Sequence, residues 1–168
     1  TIDDIIDVIK EEADKDYQLA AGISQDVEAD DSILELTKAR LPWLVLALFG
    51  GFISVHVLGI FEPVMDLHPE LFFFTPLIAA MAGNVGVQSS AIIVQGIANN
   101  TIIGPIIKRL LKELSLGLLN GIILSTILFL GSYFMLGFEI HIVYTVSIAL
   151  LSVIIMASLI GTFIPIIL

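Results

Sequence analysis

The sequence contains no cysteine, which excludes disulfides and thiolate metal sites and leaves the compartment open. Charge is scarce as well: 14% of the 168 residues are Asp, Glu, Lys or Arg, against about 25% in an ordinary soluble domain. Basic side chains are fewest, 7 against 17 acidic for a net charge of −10, so no nucleic-acid partner is expected. There is no Gly-x-x-x-x-Gly-Lys-Ser/Thr loop to bind nucleotide and no short apolar signal peptide with a basic start. His56, His68 and His141 fall on separate segments without ligand spacing such as His-x-x-x-His, so no zinc-enzyme pattern is present and the chain is not expected to be an enzyme. It opens on Thr and closes on the apolar run from Gly161 to Leu168, and reads as a piece of a longer protein.

Apolar residues make up 57% of the chain and the mean hydropathy is +1.02, values of a membrane protein. Four stretches, roughly 42–61, 71–98, 114–136 and 142–168, reach the ~20 residues that a helix needs to cross the hydrocarbon core. Charge is segregated from them, since 12 of the 17 acidic residues lie within residues 1–40. The expected fold is therefore all-α, an acidic cytoplasmic segment over residues 1–40 followed by a polytopic membrane domain over 41–168. Lys38 and Arg40 precede the first span, and Lys108, Arg109 and Lys112 lie between the second and third. The other two loops carry Glu62, Asp66, Glu70, Glu139 and His141, with no Lys or Arg. The positive-inside rule then puts the N-terminus in the cytoplasm and both acidic loops outside, in a multi-pass protein of the cell membrane.

The second span carries amides, which membrane helices seldom do. Asn84, Gln88 and Gln95 fall at i, i+4 and i+11, on one helix face, and an unpaired amide in hydrocarbon costs roughly 2 to 7 kcal/mol. Asn84 and Gln88 must therefore face protein or a watery cavity. Either they join helices through hydrogen bonds or they line a conduction path. Gly83 and Gly86 flank Asn84, so backbone carbonyls there would be freed to act as ligands. Small residues recur every four positions: Gly50 and Ser54 in the first span, Ala82, Gly86 and Ser90 in the second, Gly117, Gly121 and Ser125 in the third, Ala157 and Gly161 in the fourth. That spacing lets helix backbones approach closely. His56, the only basic side chain within the first span, reads as a packing residue or a proton relay.

Residues 1–12 pattern as an amphipathic helix with Ile2, Ile5, Ile6 and Ile9 on one face and Thr1 with Asp4 at its start. After Gly22 comes a run of carboxylates, Asp26, Glu28, Asp30 and Asp31. Ser32 follows as the expected N-cap of a helix leading through Leu34, Leu36 and Trp43 into the membrane. Such a run is either a solvated face or a set of charges whose mutual repulsion a divalent cation would relieve.

The run from Phe74 to Ser90, with Pro76 and then Gly-Asn-x-Gly-x-Gln-Ser, resembles the second transmembrane helix of the MgtE family of magnesium channels. Other parts agree in order. The stretch Asp4 to Asp16 is similar to the end of that family's second CBS domain and the start of its plug helix. Arg40-Leu-Pro-Trp43 resembles the start of the first span, Phe61 with Glu62 its outer end, Leu111 to Gly117 the start of the third span, and Ala157 to Gly161 with Pro165 the fourth. Met81 and Ala82 depart from the family's small residues. The family's fifth span, which supplies a pore carboxylate, its N-terminal domain and nearly all of its CBS pair have no counterpart in this sequence.

The resemblance implies a homodimer in the lipid bilayer, with the pore on its two-fold axis closed by cytoplasmic Mg2+. It places Asn84 and Gln88, with Gly83 and Gly86, along the pore, and Glu62 at the outer mouth as a cation attractor. Asp14, Asp16, Asp26, Glu28, Asp30 and Asp31 fall in the acidic region that senses the regulatory ion. The implied function is passive, gated transport of Mg2+, with other divalent cations such as Co2+ or Ni2+ as further cargo of the family. Amide and carbonyl oxygens suit an ion that gives up its water reluctantly. A divalent ion crossing a negative-inside potential gains about 4.6 kcal/mol per 100 mV, so uptake needs no fuel. Two alternatives stand beside this reading: a proton- or sodium-coupled secondary transporter, with His56 as the titratable group, and a non-conducting scaffold in which the amides only join helices.

Overall fold

The computed structural model describes residues 2–99, 101–102 and 104–167, without the side chains of residues 2–7, 10, 16 and 20. Among the described residues there is no strand, and the chain forms an all-α protein with four helices long and apolar enough to cross a membrane. It divides into two compact units, Thr1–Glu62 and Pro63–Leu168.

The first unit holds α1 (Ile2–Ala20) and α2 (Ile33–Ile60). α1 ends in a Schellman motif: the N–H of Gly22 donates to the Leu19 carbonyl and that of Ile23 to the Gln18 carbonyl, with Gly22 at φ +79°, a conformation glycine adopts without cost. A Cβ at Gly22 would lie 2.6 Å from the Trp43 indole, so the turn and the ring pack directly. The Gln18 side chain clamps the following loop, donating to the Val27 carbonyl at 2.7 Å and accepting from the Val27 N–H at 3.2 Å. Ser24 donates through both its N–H and its hydroxyl to the carbonyl of the fully buried Ala39. Of the expected apolar face of α1, Ile9 is exposed, and Ile2, Ile5 and Ile6 lie outside the described side chains.

Ser32 caps α2 in a capping box with Glu35. Because the helix is nucleated there, α2 begins ahead of the expected span start at 42 and carries Lys38 and Arg40 on the same continuous helix as the apolar run. Pro42 lies inside it, where its missing N–H leaves one carbonyl of the preceding turn without its helical donor. The Gly50 and Ser54 pair makes no close approach within this unit: Ser54 donates back to the Gly50 carbonyl at 3.1 Å, and a Cβ on Gly50 would meet nothing within 4 Å.

A short α3 (Glu62–Leu67) starts on the last residue of the first unit and continues into the second, which goes on with a 3-10 turn (Pro69–Phe74), α4 (Thr75–Ala98), α5 (Ile106–Leu130) closed by a π turn (Gly131–Met135), and α6 (Ile140–Ile167). α6 packs against both α4 and α5. Its buried residues, among them Val143, Val146, Leu150, Ile154 and Ser158, follow helical spacing. Small residues make the contacts. Gly117, Gly121 and Ser125 form the buried stripe of α5, and a Cβ on Gly121 would come within 2.6 Å of Leu151. Across α4 and α6, a Cβ on Gly161 would come to 2.5 Å from the Gly86 carbonyl oxygen. Where α4 and α6 begin, Phe74, Ile142 and Val146 form a core with Leu71, Ile78, Leu128 and Phe138. Large apolar side chains such as Leu119, Ile123 and Ile148 are exposed, as expected of a surface that meets lipid rather than water.

Candidate functional site

α4 has two faces of opposite character. Ser89, Ile93 and Gly96 are buried, whereas Asn84, Gln88 and Gln95 are exposed. At about 100° per residue, Ile93 lies on the far side of the helix from Asn84, so burying one face leaves the amides on the other. The side-chain hydrogen bonds of α4 run from Ser89 to Glu113 and from Asn99 to the Gln95 carbonyl, and none involves the side chain of Asn84 or Gln88 among the described residues. Within their own unit the amides are not sealed in a helix contact.

The two flanking glycines differ. Gly83 is exposed, with no atom within 4 Å of a Cβ placed on it. Gly86 is half-buried and lies backbone to backbone with Gly161 of α6. The expectation of freed carbonyls around Asn84 is corrected here: α4 is an unbroken α-helix from Thr75 to Ala98, and the carbonyls of its interior stay in the helical ladder.

Sequence reasoning passed over Glu113. This half-buried carboxylate on α5 accepts a hydrogen bond from the Ser89 hydroxyl of α4 at 2.6 Å and another from the Ser158 hydroxyl of α6 at 3.0 Å, both on Oε1. Ser89 and Ser158 are buried. One turn further along α5, Gly117 makes room for this meeting, since its Cβ would lie 3.0 Å from Ser158 Oγ. A single carboxylate thus ties three helices together. Its sequence signal was available: the only acidic residue within the third membrane-length helix, followed one turn later by the first glycine of a small-residue stripe.

At the opposite end of this unit from Lys108, Arg109 and Lys112, where α4 and α6 begin, two loops meet. The His68 Nδ1 lies 3.6 Å from Glu70 Oε1, and the His141 Nδ1 lies 3.3 Å from Glu139 Oε2. The two imidazoles stand edge to face with centroids 5.6 Å apart. Two of the three histidines that look scattered along the sequence, His68 and His141, are therefore neighbours in space. His56 is exposed on α2, and Glu62, at the start of α3, is also exposed.

The acidic segment belongs to the first unit. Asp14, Asp26, Glu28 and Asp30 are exposed and Asp31 is half-buried, while the side chain of Asp16 lies outside the described residues. Asp31 has a local role, accepting the Glu28 N–H at 2.8 Å. In α1 the Lys15 ammonium donates to Glu11 at 2.8 Å. That bond holds the Glu11 carboxyl below its ordinary range and raises Lys15.

Residues 75–168 match the sequence profile of a family described as "MgtE: Divalent cation transporter". The chain is also similar to curated proteins named magnesium transporter MgtE. It is 34% identical over 169 residues to that of Bacillus subtilis, covering 100% of this chain and 37% of the relative. To that of Thermus thermophilus it is 30% identical over 168 residues, covering 98% and 37%. To that of Enterococcus faecalis it is 33% identical over 168 residues, covering 98% and 36%. The chain thus spans little more than a third of the length of these relatives. With its whole helical bundle from α4 to α6 inside the profile match, this chain belongs to the MgtE family, a family of transporters rather than enzymes.

Proposed function

We propose that this chain is the pore-forming part of a magnesium transporter that works as a passive, gated channel, assembled as a homodimer with its N-terminus in the cytoplasm. The observation that carries the reading is the exposed face of α4: Asn84 and Gln88, one turn apart on a membrane-length helix, turned away from the core of their own unit. Facing lipid, each amide would bear the full cost of desolvation. Facing a second copy of α4 across an aqueous path, the same groups stay hydrated and touch the water shell of a passing ion. Mg2+ keeps its water reluctantly, so amide oxygens and N–H groups that contact first-shell water guide it without the tight binding of bare carboxylates. The relatives' names, all magnesium transporters, point to the same cargo.

In this reading Gly86 sets the close approach of α4 to α6 and so holds the amide face in place, while Gly83 keeps the pore side free of bulk. Glu62 draws cations to the outer mouth, and the two loops without Lys or Arg face outside. Asp14, Asp16, Asp26, Glu28, Asp30 and Asp31 crowd negative charge on the cytoplasmic side, where bound Mg2+ would offset their repulsion and favour the closed state. The test is Mg2+ uptake by the full-length protein in liposomes under an imposed inside-negative potential. Asn84→Leu with Gln88→Leu is expected to lower the rate at least about tenfold, corresponding to about 1.4 kcal/mol or more. Uptake at the wild-type rate by the correctly assembled double variant would remove the amides from the conduction path.

A further inference from the structure

We propose that His68, Glu70 and His141 form a binding site for a transition-metal ion of the Zn2+ class, at the end of the second unit where α4 and α6 begin. Each of the three offers a ligand atom, and these atoms all lie within 4.8 Å of one another. In a tetrahedral site with bonds of about 2.0–2.1 Å, ligand atoms sit about 3.4 Å apart. The 3.6 Å between His68 Nδ1 and Glu70 Oε1 is already close to that spacing. His141 is exposed, so rotation of its side chain would bring the third ligand atom closer. Glu139, 3.3 Å from His141 Nδ1, supplies either a fourth oxygen or the partner for the ring nitrogen that does not bind metal, as carboxylates commonly do beside metal-bound histidine.

The two sides of the site are held by packing, not by the metal. His68 and Glu70 precede α4 and His141 lies in the first turn of α6. Directly beneath them Phe74 and Ile142 share one core, with Phe138 edge to face on Phe74 at 5.1 Å. The donor set decides which ion fits. Two imidazoles and one carboxylate suit Zn2+, Co2+ or Ni2+, whereas Mg2+ requires an octahedron of oxygens. The site is therefore distinct in chemistry from the amide face of α4 and stands apart from the transport reading. His68 and Glu70 are only half-buried, which leaves an approach from solvent. Metal bonds there would link the loop before α4 to the start of α6.

The experiment uses the metal-stripped full-length protein in detergent, titrated with Co2+ in the presence of excess Mg2+ so that oxygen-rich sites are filled. The readout is the visible absorption that Co2+ gains in a site of low coordination number. Wild type is expected to show one saturable band that Zn2+ abolishes, and His68→Gln and His141→Gln are each expected to weaken Co2+ binding at least about tenfold, the lower end of what even indirect ligand partners contribute. The Asn84→Leu, Gln88→Leu double variant should keep the band, so failure of this inference and failure of the transport reading are read separately. Because His141 is exposed, H141Q leaves the core untouched, and Mg2+ uptake at the wild-type rate verifies its fold. Absence of the band in wild type, or an unchanged band in H141Q, overturns the proposal.

Discussion

Glu113 has a chemical role that its position in the sequence conceals. A carboxylate in a membrane-length helix demands partners, and it finds two hydroxyls, Ser89 and Ser158, on two different helices. In bilayers such interhelical bonds average about 0.6 kcal/mol, with a maximum near 1.7. Glu113→Ala is therefore expected to destabilise the full-length protein by about 1–2 kcal/mol in a detergent-denaturation titration. Glu113→Gln, which keeps an acceptor oxygen, should lose less than Glu113→Ala. Equal losses in the two variants, or none in either, would show that the carboxylate does not bind the bundle together. At the same scale, one oxygen of Asp31 closes a local turn by accepting the Glu28 N–H.

At the scale of elements, α4 has one buried and one exposed face, and glycine substitutions distinguish them. Gly161→Ala puts a methyl 2.5 Å from the Gly86 carbonyl oxygen and 3.1 Å from its Cα. Backbone atoms cannot rotate away, so α4 and α6 must separate, at a cost of about 1–3 kcal/mol typical of overpacking. Gly83→Ala, on the same helix pair, meets nothing within 4 Å and should be neutral or gain up to about 1 kcal/mol from better helix propensity. Comparing the two unfolding midpoints checks the assignment, and a loss for Gly83→Ala as large as for Gly161→Ala would contradict it. The four-residue spacing of small residues pointed to close packing wherever it occurred. It marks real contacts in α4, α5 and α6, but at Gly50 in α2 no neighbour approaches within its unit. Spacing shows that a helix can be approached closely, and only the partner's position shows whether it is.

At the scale of the whole molecule, the proposed gating requires that ion binding at the acidic segment bias the membrane helices. Neutralising Asp26, Glu28, Asp30 and Asp31 together in the full-length protein is expected to shift closure to higher cytoplasmic Mg2+, by about tenfold or more if the four carboxylates share the bound ion. Single-channel recording over a range of Mg2+ concentrations measures this, and an unchanged open probability at every concentration would remove these residues from regulation. Stability of the bundle should not change in that variant, since Asp26, Glu28 and Asp30 are exposed.

The class of fold and the number of its membrane-length helices were written in composition and hydropathy, because lipid admits few backbone solutions and an apolar run of sufficient length must become a helix. Their starts were not, since α2 and α5 begin at Ile33 and Ile106, ahead of the apolar runs at 42 and 114. The amide stripe of α4 was legible for the same reason: helical periodicity sorts residues by face before any partner is known. Which face turns inward was not legible, because Ser89 or Asn84 could each have met a neighbour, and the packing of α6 against Gly86 decided it. Nor could spacing along the chain bring Glu113 to Ser89 and Ser158, or His68 to His141. Those meetings join segments far apart in sequence, and only the close approach of helix backbones at glycine and serine sets the distances.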